Sequence, residues 1–484
     1  MITEHFDVII MGAGLSGIGA GVHLSRDCPT QSFAILEARE AMGGTWDLFR
    51  YPGVRSDSDM YTLGYDFRPW TDAKSIADGD TILNYIQEVS REHGIDQHIR
   101  YAHRIKSASW SSTEAQWTLQ IAHGPGQRPI QLSCSFFFIC GGYYNYEHGY
   151  TPDFAGLQNF KGQIVHPQKW TPDIATAGKK VVIIGSGATA VTLVPALAKT
   201  AAHVTMLQRS PTYVMSRPAH DATANWLNKR VPSKLAYAIT RWKNVLLGML
   251  FYKLSKSQPE RIKHMIIKGV EAAMRPGFDV KKHFTPNYKP WDQRVCLVPN
   301  ADLFKAIRNG TASVVTDHIK IFEANGIRLA SGEFLEADLV VSATGLDLLA
   351  FGGIQILVDG VTIDLPKTIT YKGLMLNGVP NMAYAMGYTN ASWTLKSDLT
   401  CHYVLRVLKH MAAQNKRQFM PILLDPSVEP ENWIDFTSGY VQRSLDKFPK
   451  QGNKKPWKLQ QNYVLDIFAL RYGALEDGTL LFTS

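Results

Sequence analysis

Phe6-Asp-Val-Ile-Ile-Met-Gly12-Ala-Gly14-Leu-Ser16-Gly17 reads as a buried strand, a glycine turn and the first turn of a helix. Gly12 permits the tight turn, Gly14 lets backbone approach a pyrophosphate, and Gly17 brings helix against strand, so that a diphosphate lies at the helix N-terminus. A lone Gly-x-Gly-x-x-Gly is weak evidence. Here a second strand follows, Ser32-Phe-Ala-Ile-Leu-Glu37, whose acid stands 20 residues beyond Gly17, where a ribose hydroxyl is normally held. The pattern returns at Lys180-Val-Val-Ile-Ile-Gly185-Ser186-Gly187-Ala188-Thr189-Ala190, with alanine in place of the third glycine, a substitution the turn tolerates. The strand after it, His203-Val-Thr-Met-Leu-Gln208-Arg209-Ser210, ends in Gln-Arg-Ser where Glu37 closed the earlier one. A cation and a hydroxyl there suit a ribose 2′-phosphate, which points to NADPH. The fold class expected is therefore α/β, with two Rossmann-like dinucleotide-binding domains.

Bulk properties agree. A chain of 484 residues exceeds the size at which a single core keeps growing, and 45% hydrophobic with 19% charged residues is globular. Cys28, Cys134, Cys140, Cys296 and Cys401 are scattered with no Cys-x-x-Cys, which argues against a structural zinc, a disulfide framework or a dithiol centre and favours a reduced, cytoplasmic setting. No metal site is expected. The apolar run after Phe6 reads as a strand and not as a signal peptide. The longest other apolar run, Val245 to Tyr252, is far short of the ~20 residues of a membrane span. A net charge of +9 without a concentrated Lys/Arg tract favours a basic surface that attracts phosphates over nucleic-acid binding.

Between the fingerprints, strand-like segments at Tyr101 to Trp110, Trp117 to Ile121 and Ile130 to Leu132 suggest a small sheet. Ser135-Phe-Phe-Phe-Ile-Cys140-Gly141-Gly142 and Asp338-Leu-Val-Val-Ser-Ala343-Thr344-Gly345 read as one device used twice, a strand that ends at glycine and hands the chain to another domain. From Pro218 to Pro290 the pattern is helical, with apolar residues at Leu235, Ile239, Trp242, Leu246 and Leu250 and again at Ile262, Met265, Ile266, Val270 and Met274. A helical cap over a substrate cleft is the favoured reading. Peripheral membrane contact is the second, because Lys243, Lys253, Lys256, Lys263 and Lys268 line these helices.

Two further stretches narrow the reading. Gly43-Gly44-Thr45-Trp46-Asp47-Leu-Phe-Arg-Tyr51-Pro52-Gly53-Val-Arg55-Ser56-Asp57 is a loop beside the first dinucleotide, where Arg55 and Asp57 form a candidate ionisable pair. Phe160-Lys-Gly162-Gln-Ile-Val-His166-Pro-Gln-Lys-Trp170-Thr171 lies between the fingerprints and joins what each one holds. On these motifs, from Asp7 to about Tyr463, the chain resembles the flavin-dependent Baeyer–Villiger monooxygenases, a branch of the class B flavoprotein monooxygenases. Phe160-x-Gly162-x3-His166-x3-Trp170 is similar to that family's identifying motif, which ordinarily closes with Pro or Asp where this chain has Thr171. Phe49 to Met60, Pro290-Trp-Asp-Gln-Arg294 and Gly387-Tyr-Thr-Asn-Ala-Ser-Trp393 resemble the EthA-type subgroup.

The resemblance implies FAD contacts at Gly12, Gly14, Ser16, Gly17, Glu37, Gly44, Thr45, Trp46, Asp47, Arg55, Ser56, Asp57 and, through backbone, Ile105. It implies that Gly185, Ser186, Gly187, Ala188, Thr189, Ala190, Val191, Arg209 and Ser210 hold NADPH. Arg294 would be the catalytic arginine and Asp57 the carboxylate paired with it; relatives often carry Lys where this chain has Gln293. The implied division is 1–148 for the first part of the FAD domain and 149–217 for the first part of the NADP domain with the linking motif. Residues 218–290 form the helical insertion, 291–340 the second NADP part and 341–484 the second FAD part. The implied reaction takes NADPH, O2 and a ketone through a C4a-peroxyflavin to an ester or lactone, and its runner-up is S- or N-oxygenation of sulfides, thioamides or amines. A plain NADPH oxidase or reductase would need no Arg294 and Asp57 pair, and a non-catalytic nucleotide-sensing module would turn over no NADPH.

Overall fold

A computed structural model describes residues 2–434 and 436–484. The apolar run behind Phe6 becomes the strand Ile2–Met11, with Val8, Ile9 and Ile10 fully buried, as a strand covered on both faces must be. It runs parallel to Phe33–Leu36 on one side and to Arg128–Ile139 on the other. Among the described residues the sheet holds nine strands. The segments expected to form a small sheet extend this one. His103–Ser111 and Gln116–His123 are antiparallel neighbours, and Gln116–His123 pairs with the first half of Arg128–Ile139. The second half of that long strand turns its free edge to Met382–Tyr384, returning from the far end of the chain. Twelve residues suffice for both partners, so the meander and the parallel sheet share one hydrogen-bonded surface.

The second sheet is parallel throughout, in the order Ala312–Thr316, His203–Gln208, Lys180–Ile184, Leu339–Ser342 and Gln163–Val165. Its edge strand Gln163–Val165 is the centre of the linking motif. Phe160 packs on one face of the sheet with Val182 and Ile184, and Trp170 on the other with Val181 and Ile183. The motif thus clasps the sheet edge from both sides. Gly162 has no room for a side chain there, since a Cβ would stand 2.6 Å from the Asp338 carbonyl oxygen.

The chain passes between the sheets twice, after Cys140 and after Ser342, and the two passages pair. Asn145 N donates to Asp347 O at 2.9 Å, Leu349 N to Tyr143 O at 2.9 Å and Tyr150 N to Gly345 O at 3.1 Å. His166 joins them. Its Nδ1 accepts from Gln168 N at 3.2 Å, which leaves Nε2 to donate to the Gly345 carbonyl, also at 3.2 Å.

The insertion folds as helices Ala222–Leu227, Ser233–Ser257, Pro259–Ala273 and Val280–Phe284. The long helix docks on the first sheet's side of the molecule: buried Arg241 donates to the carbonyls of Tyr61 at 2.9 Å and Gly64 at 2.8 Å, and Tyr237 donates to Tyr65 O at 2.9 Å. The Arg241 guanidinium also lies 3.6 Å from Asp398, which is in turn 3.7 Å from His23. That buried network ties the insertion to the first fingerprint helix and to the helix Trp393–Ala413.

Candidate active site

Both fingerprint helices start without a side-chain cap, at Gly14 for Leu15–Asp27 and at Gly187 for Ala188–Leu197. Orphan N–H groups at a helix start favour an anion. Before the first of them opens a cavity of about 620 Å3, a size suited to a cofactor with room for a second ligand. Its wall carries Gly12, Gly14, Ser16, Glu37, Gly44, Thr45, Trp46, Arg55, Ser56, Asp57 and Ile105, together with Ala188, Thr189 and Arg294. Positions spread over almost three hundred residues of sequence are thus brought to one surface.

Glu37 is buried, and its carboxylate accepts from Ala13 N and Arg39 N, both at 2.9 Å. Burial pushes its carboxyl above the ordinary range even so, and its remaining lone pairs suit ribose hydroxyls. Gly17 stands behind the wall, so close to the turn that a Cβ would lie 1.8 Å from Gly12 O. Asp47 also stands back, held by Arg39 at 2.5 Å and by Arg50. Ser16 Oγ accepts from Trp393 Nε1 at 2.7 Å, so the loop from Gly387 to Trp393 closes over the fingerprint helix. These features fit a dinucleotide with its diphosphate at Gly14.

The rest of the second set lies outside this cavity. Gly185 has φ +135° and packs against the end of the returning strand, where a Cβ would meet Ala343 O at 2.3 Å, whereas around Gly187 there is open space. Ser186 is tied to Ser210 O at 3.1 Å and to Thr212 at 2.9 Å. Ala190 and Val191 are buried in the helix, and Arg209 and Ser210 are exposed just past the strand end. An open glycine, an uncapped helix start and an exposed Arg beside Ser suit a second, phosphorylated dinucleotide.

Arg294 and Asp57 meet: Nη1 donates to Oδ2 at 2.9 Å. Asp57 is the main reason that the guanidinium is held above its ordinary pKa. The loop behind Arg294 is pinned at Asp292, whose carbonyl accepts from Thr437 N at 2.9 Å and whose carboxylate lies 3.4 Å from Lys256. Arg55, by contrast, does not pair with Asp57. It reaches Asp302 at 2.5 Å, at the start of the helix Asp302–Arg308. Residues two apart on extended chain would share a side, but the chain bends at Asp57, so Arg55 and Asp57 clasp different neighbours.

A smaller cavity of about 40 Å3 lies beyond Arg294, which shares the dividing wall with Tyr143, Tyr388 and Trp393. Trp433, Ile434, Phe436, Tyr440 and Leu459 make it apolar, and a buried Lys396–Asp466 pair at 2.8 Å, joined by the Tyr388 hydroxyl at 2.6 Å, closes one end. No residue of 218–290 lines either cavity, so the insertion is not a cap over them. Tyr143, Tyr144 and Tyr440 belong to none of the motifs read from the sequence. The first two carry a usable signal, an aromatic pair directly after the Cys140-Gly-Gly hinge.

A model of the flavin-binding monooxygenase-like family matches residues 58–420. The chain belongs to that family. This flavin-binding monooxygenase is 53% identical over 486 residues to the FAD-containing monooxygenase EthA of Mycobacterium tuberculosis (strain ATCC 25618 / H37Rv), an alignment that covers 99% of this chain and 98% of EthA. The monooxygenase fold is similar to that of an oxidized steroid monooxygenase bound to NADP, with a TM-score of 0.76 at 21% identity over 99% of this chain and 100% of that one. It is likewise similar to a polycyclic ketone monooxygenase from the thermophilic fungus Thermothelomyces thermophila, with a TM-score of 0.79 at 17% identity over 100% and 90%. The family read from the motifs is therefore borne out, and so is the fold class.

Proposed function

We propose that this flavin-binding monooxygenase uses FAD, NADPH and O2 to insert one oxygen atom beside the carbonyl of a ketone, giving an ester or lactone. The observation that carries the reading is the Arg294–Asp57 pair at 2.9 Å on the wall between a cofactor-sized cavity and an apolar one. FAD would lie along Gly12, Gly14, Ser16, Glu37, Gly44 to Asp47, Arg55 to Asp57 and Ile105, and NADPH along Gly185 to Val191, Arg209 and Ser210. The bound flavin, once reduced by NADPH, supplies the oxygen chemistry. The division of the chain into two cofactor domains and an insertion, at the boundaries given above, belongs to the same reading.

The protein's own part is electrostatic. A guanidinium is charged at every working pH and carries five N–H donors, of which Asp57 occupies one. The others can face the cavities and stabilise negative charge on the reacting oxygen and on the former carbonyl oxygen, where a preorganised donor is worth most in a water-poor site. Asp57 orients the fork. Tyr143, Trp433, Phe436 and Tyr440 supply an apolar chamber for the ketone's carbon frame and exclude water.

The products decide the matter. Purified enzyme given NADPH, O2 and a mixed panel of ketones and sulfides should yield esters or lactones by mass spectrometry. Sulfoxides alone would favour heteroatom oxygenation by the same flavin, and NADPH consumption with no oxygenated product would refute both.

A further inference from the structure

The helix Ser233–Ser257 faces the opposite way from an ordinary surface helix, which buries its apolar stripe. Its buried side is Ala236, Tyr237, Thr240, Arg241 and Val245, with Arg241 holding the backbone of Tyr61 and Gly64. Its outer stripe is Leu235, Ile239, Trp242, Leu246 and Leu250, each between 43% and 53% exposed. The Trp242 ring lies 5.9 Å from Tyr463, at the start of the helix Tyr463–Ile467, after which Phe468 and Tyr472 are 64% and 71% exposed. Single exposed apolar side chains are ordinary, but a continuous strip marks a surface that something covers.

Charge says what covers it. From Ala222 to Pro259 the chain has seven Lys and Arg and no Asp or Glu; Arg241 points inward, Lys243 pairs with Asp221 at 2.6 Å and Lys256 lies 3.4 Å from Asp292, which leaves Lys229, Arg230, Lys234 and Lys253 exposed. Lys253 is exposed and follows Leu250 by three positions, on the same face. We propose that this face docks in the plane of an anionic lipid bilayer. The apolar stripe with Trp242 would enter the headgroup boundary while the lysines reach the lipid phosphates. A second copy of the chain fits less well, because a two-fold interface sets each patch against itself and would bring the exposed Lys229, Arg230, Lys234 and Lys253 toward their own copies. No helix among the described residues is long and apolar enough to cross a membrane, so the contact is along the surface. It also accounts for an insertion that lines neither cavity.

The FAD-loaded enzyme can be sedimented with phosphatidylcholine vesicles containing or lacking phosphatidylglycerol. Binding should need the anionic lipid and weaken roughly tenfold or more in high salt or in a Lys234→Glu, Lys253→Glu variant. It should be lost in Leu246→Glu, Leu250→Glu, which changes only exposed side chains and should keep its flavin content and NADPH oxidation rate. Failure of the parent to sediment with anionic vesicles, equal binding to neutral ones, or undiminished binding by the leucine variant would each overturn the proposal. So would self-association in sedimentation velocity that the leucine variant abolishes while vesicles bind neither protein, since that outcome assigns the face to a second copy.

Discussion

Gly12 N donates to Leu36 O and Gly185 N to Leu207 O, both at 2.8 Å, which sets the two fingerprints in register and makes Gln208 the counterpart of Glu37 and Ala190 that of Gly17. The match extends to the returning strands, since a Cβ on Gly12 would meet Cys140 O at 3.0 Å and one on Gly185 would meet Ala343 O at 2.3 Å. From that common frame the two sites part. Glu37 turns toward its own glycine turn and holds Ala13 N, while Gln208 turns away, donating to His283 O and Thr316 Oγ1, both at 2.8 Å. On the proposed reading one strand end keeps its acid for a ribose, and the other leaves recognition to Arg209 and Ser210 beyond it. The first helix lies too close for any side chain at Gly17, whereas the second accommodates the Ala190 methyl in its core. The same backbone device therefore differs between the two units in one side chain's direction and one helix's distance, which is what two cofactor chemistries would require on the proposed reading.

The largest effect is expected where the two halves meet. Arg294→Ala should leave flavin binding and NADPH-driven flavin reduction intact yet cut oxygenated product by about a thousandfold, roughly 4 kcal/mol. Lysine should not rescue it, because an ammonium lacks the planar fork. Product formed at the parental rate in stopped-flow and mass-spectrometric assays would remove Arg294 from the mechanism. Next comes the contrast between the helices. Gly17→Ala should cost roughly 3 kcal/mol or more by forcing the first helix off its turn, while Ala190→Gly should cost about 1 kcal/mol. Thermal unfolding followed by flavin fluorescence ranks the two, and equal losses would mean that the helices sit alike after all.

Recognition beyond the strand end gives a smaller change. Arg209→Ala should weaken NADPH by about one to two decades with NADH little affected, and an unchanged preference between them would break the contrast with Glu37. The smallest concerns His166. Burial holds its imidazole below the ordinary 6.5, so the unfolded chain takes up that proton first as the pH falls. Stability should accordingly decline from about 6.5 downward. In His166→Gln that part of the slope should vanish from urea titrations taken across the range.

Glycine spacing and strand patterning made both dinucleotide units legible, because a turn that must approach a phosphate admits few residues. Arg294 and Asp57 were legible only through family motifs, as 237 residues separate them and no local pattern records that distance. Arg55 and Asp57 both reach the cavity wall, but nearness in sequence does not say what each one grips, and the fold gives Arg55 to Asp302. The insertion failed differently. Periodicity correctly grouped Leu235, Ile239, Trp242, Leu246 and Leu250 on one face, but a period does not say which face is inward. Here Arg241, whose Nη1 donates to three backbone carbonyls of the segment 61–64 and whose Nη2 lies 3.6 Å from Asp398, takes the interior place that an apolar residue would usually hold.

The two paired passages between the sheets behave mechanically as one ribbon. A single tether would let the two units swivel freely; two strands cross-linked at Asn145, Leu349 and Tyr150 resist torsion and leave bending across the ribbon's flat side as the soft direction. Tyr143 and Tyr144 ride on that ribbon and face the larger cavity. Any flexing of one unit against the other should therefore be geared into the position of two phenol rings beside the arginine.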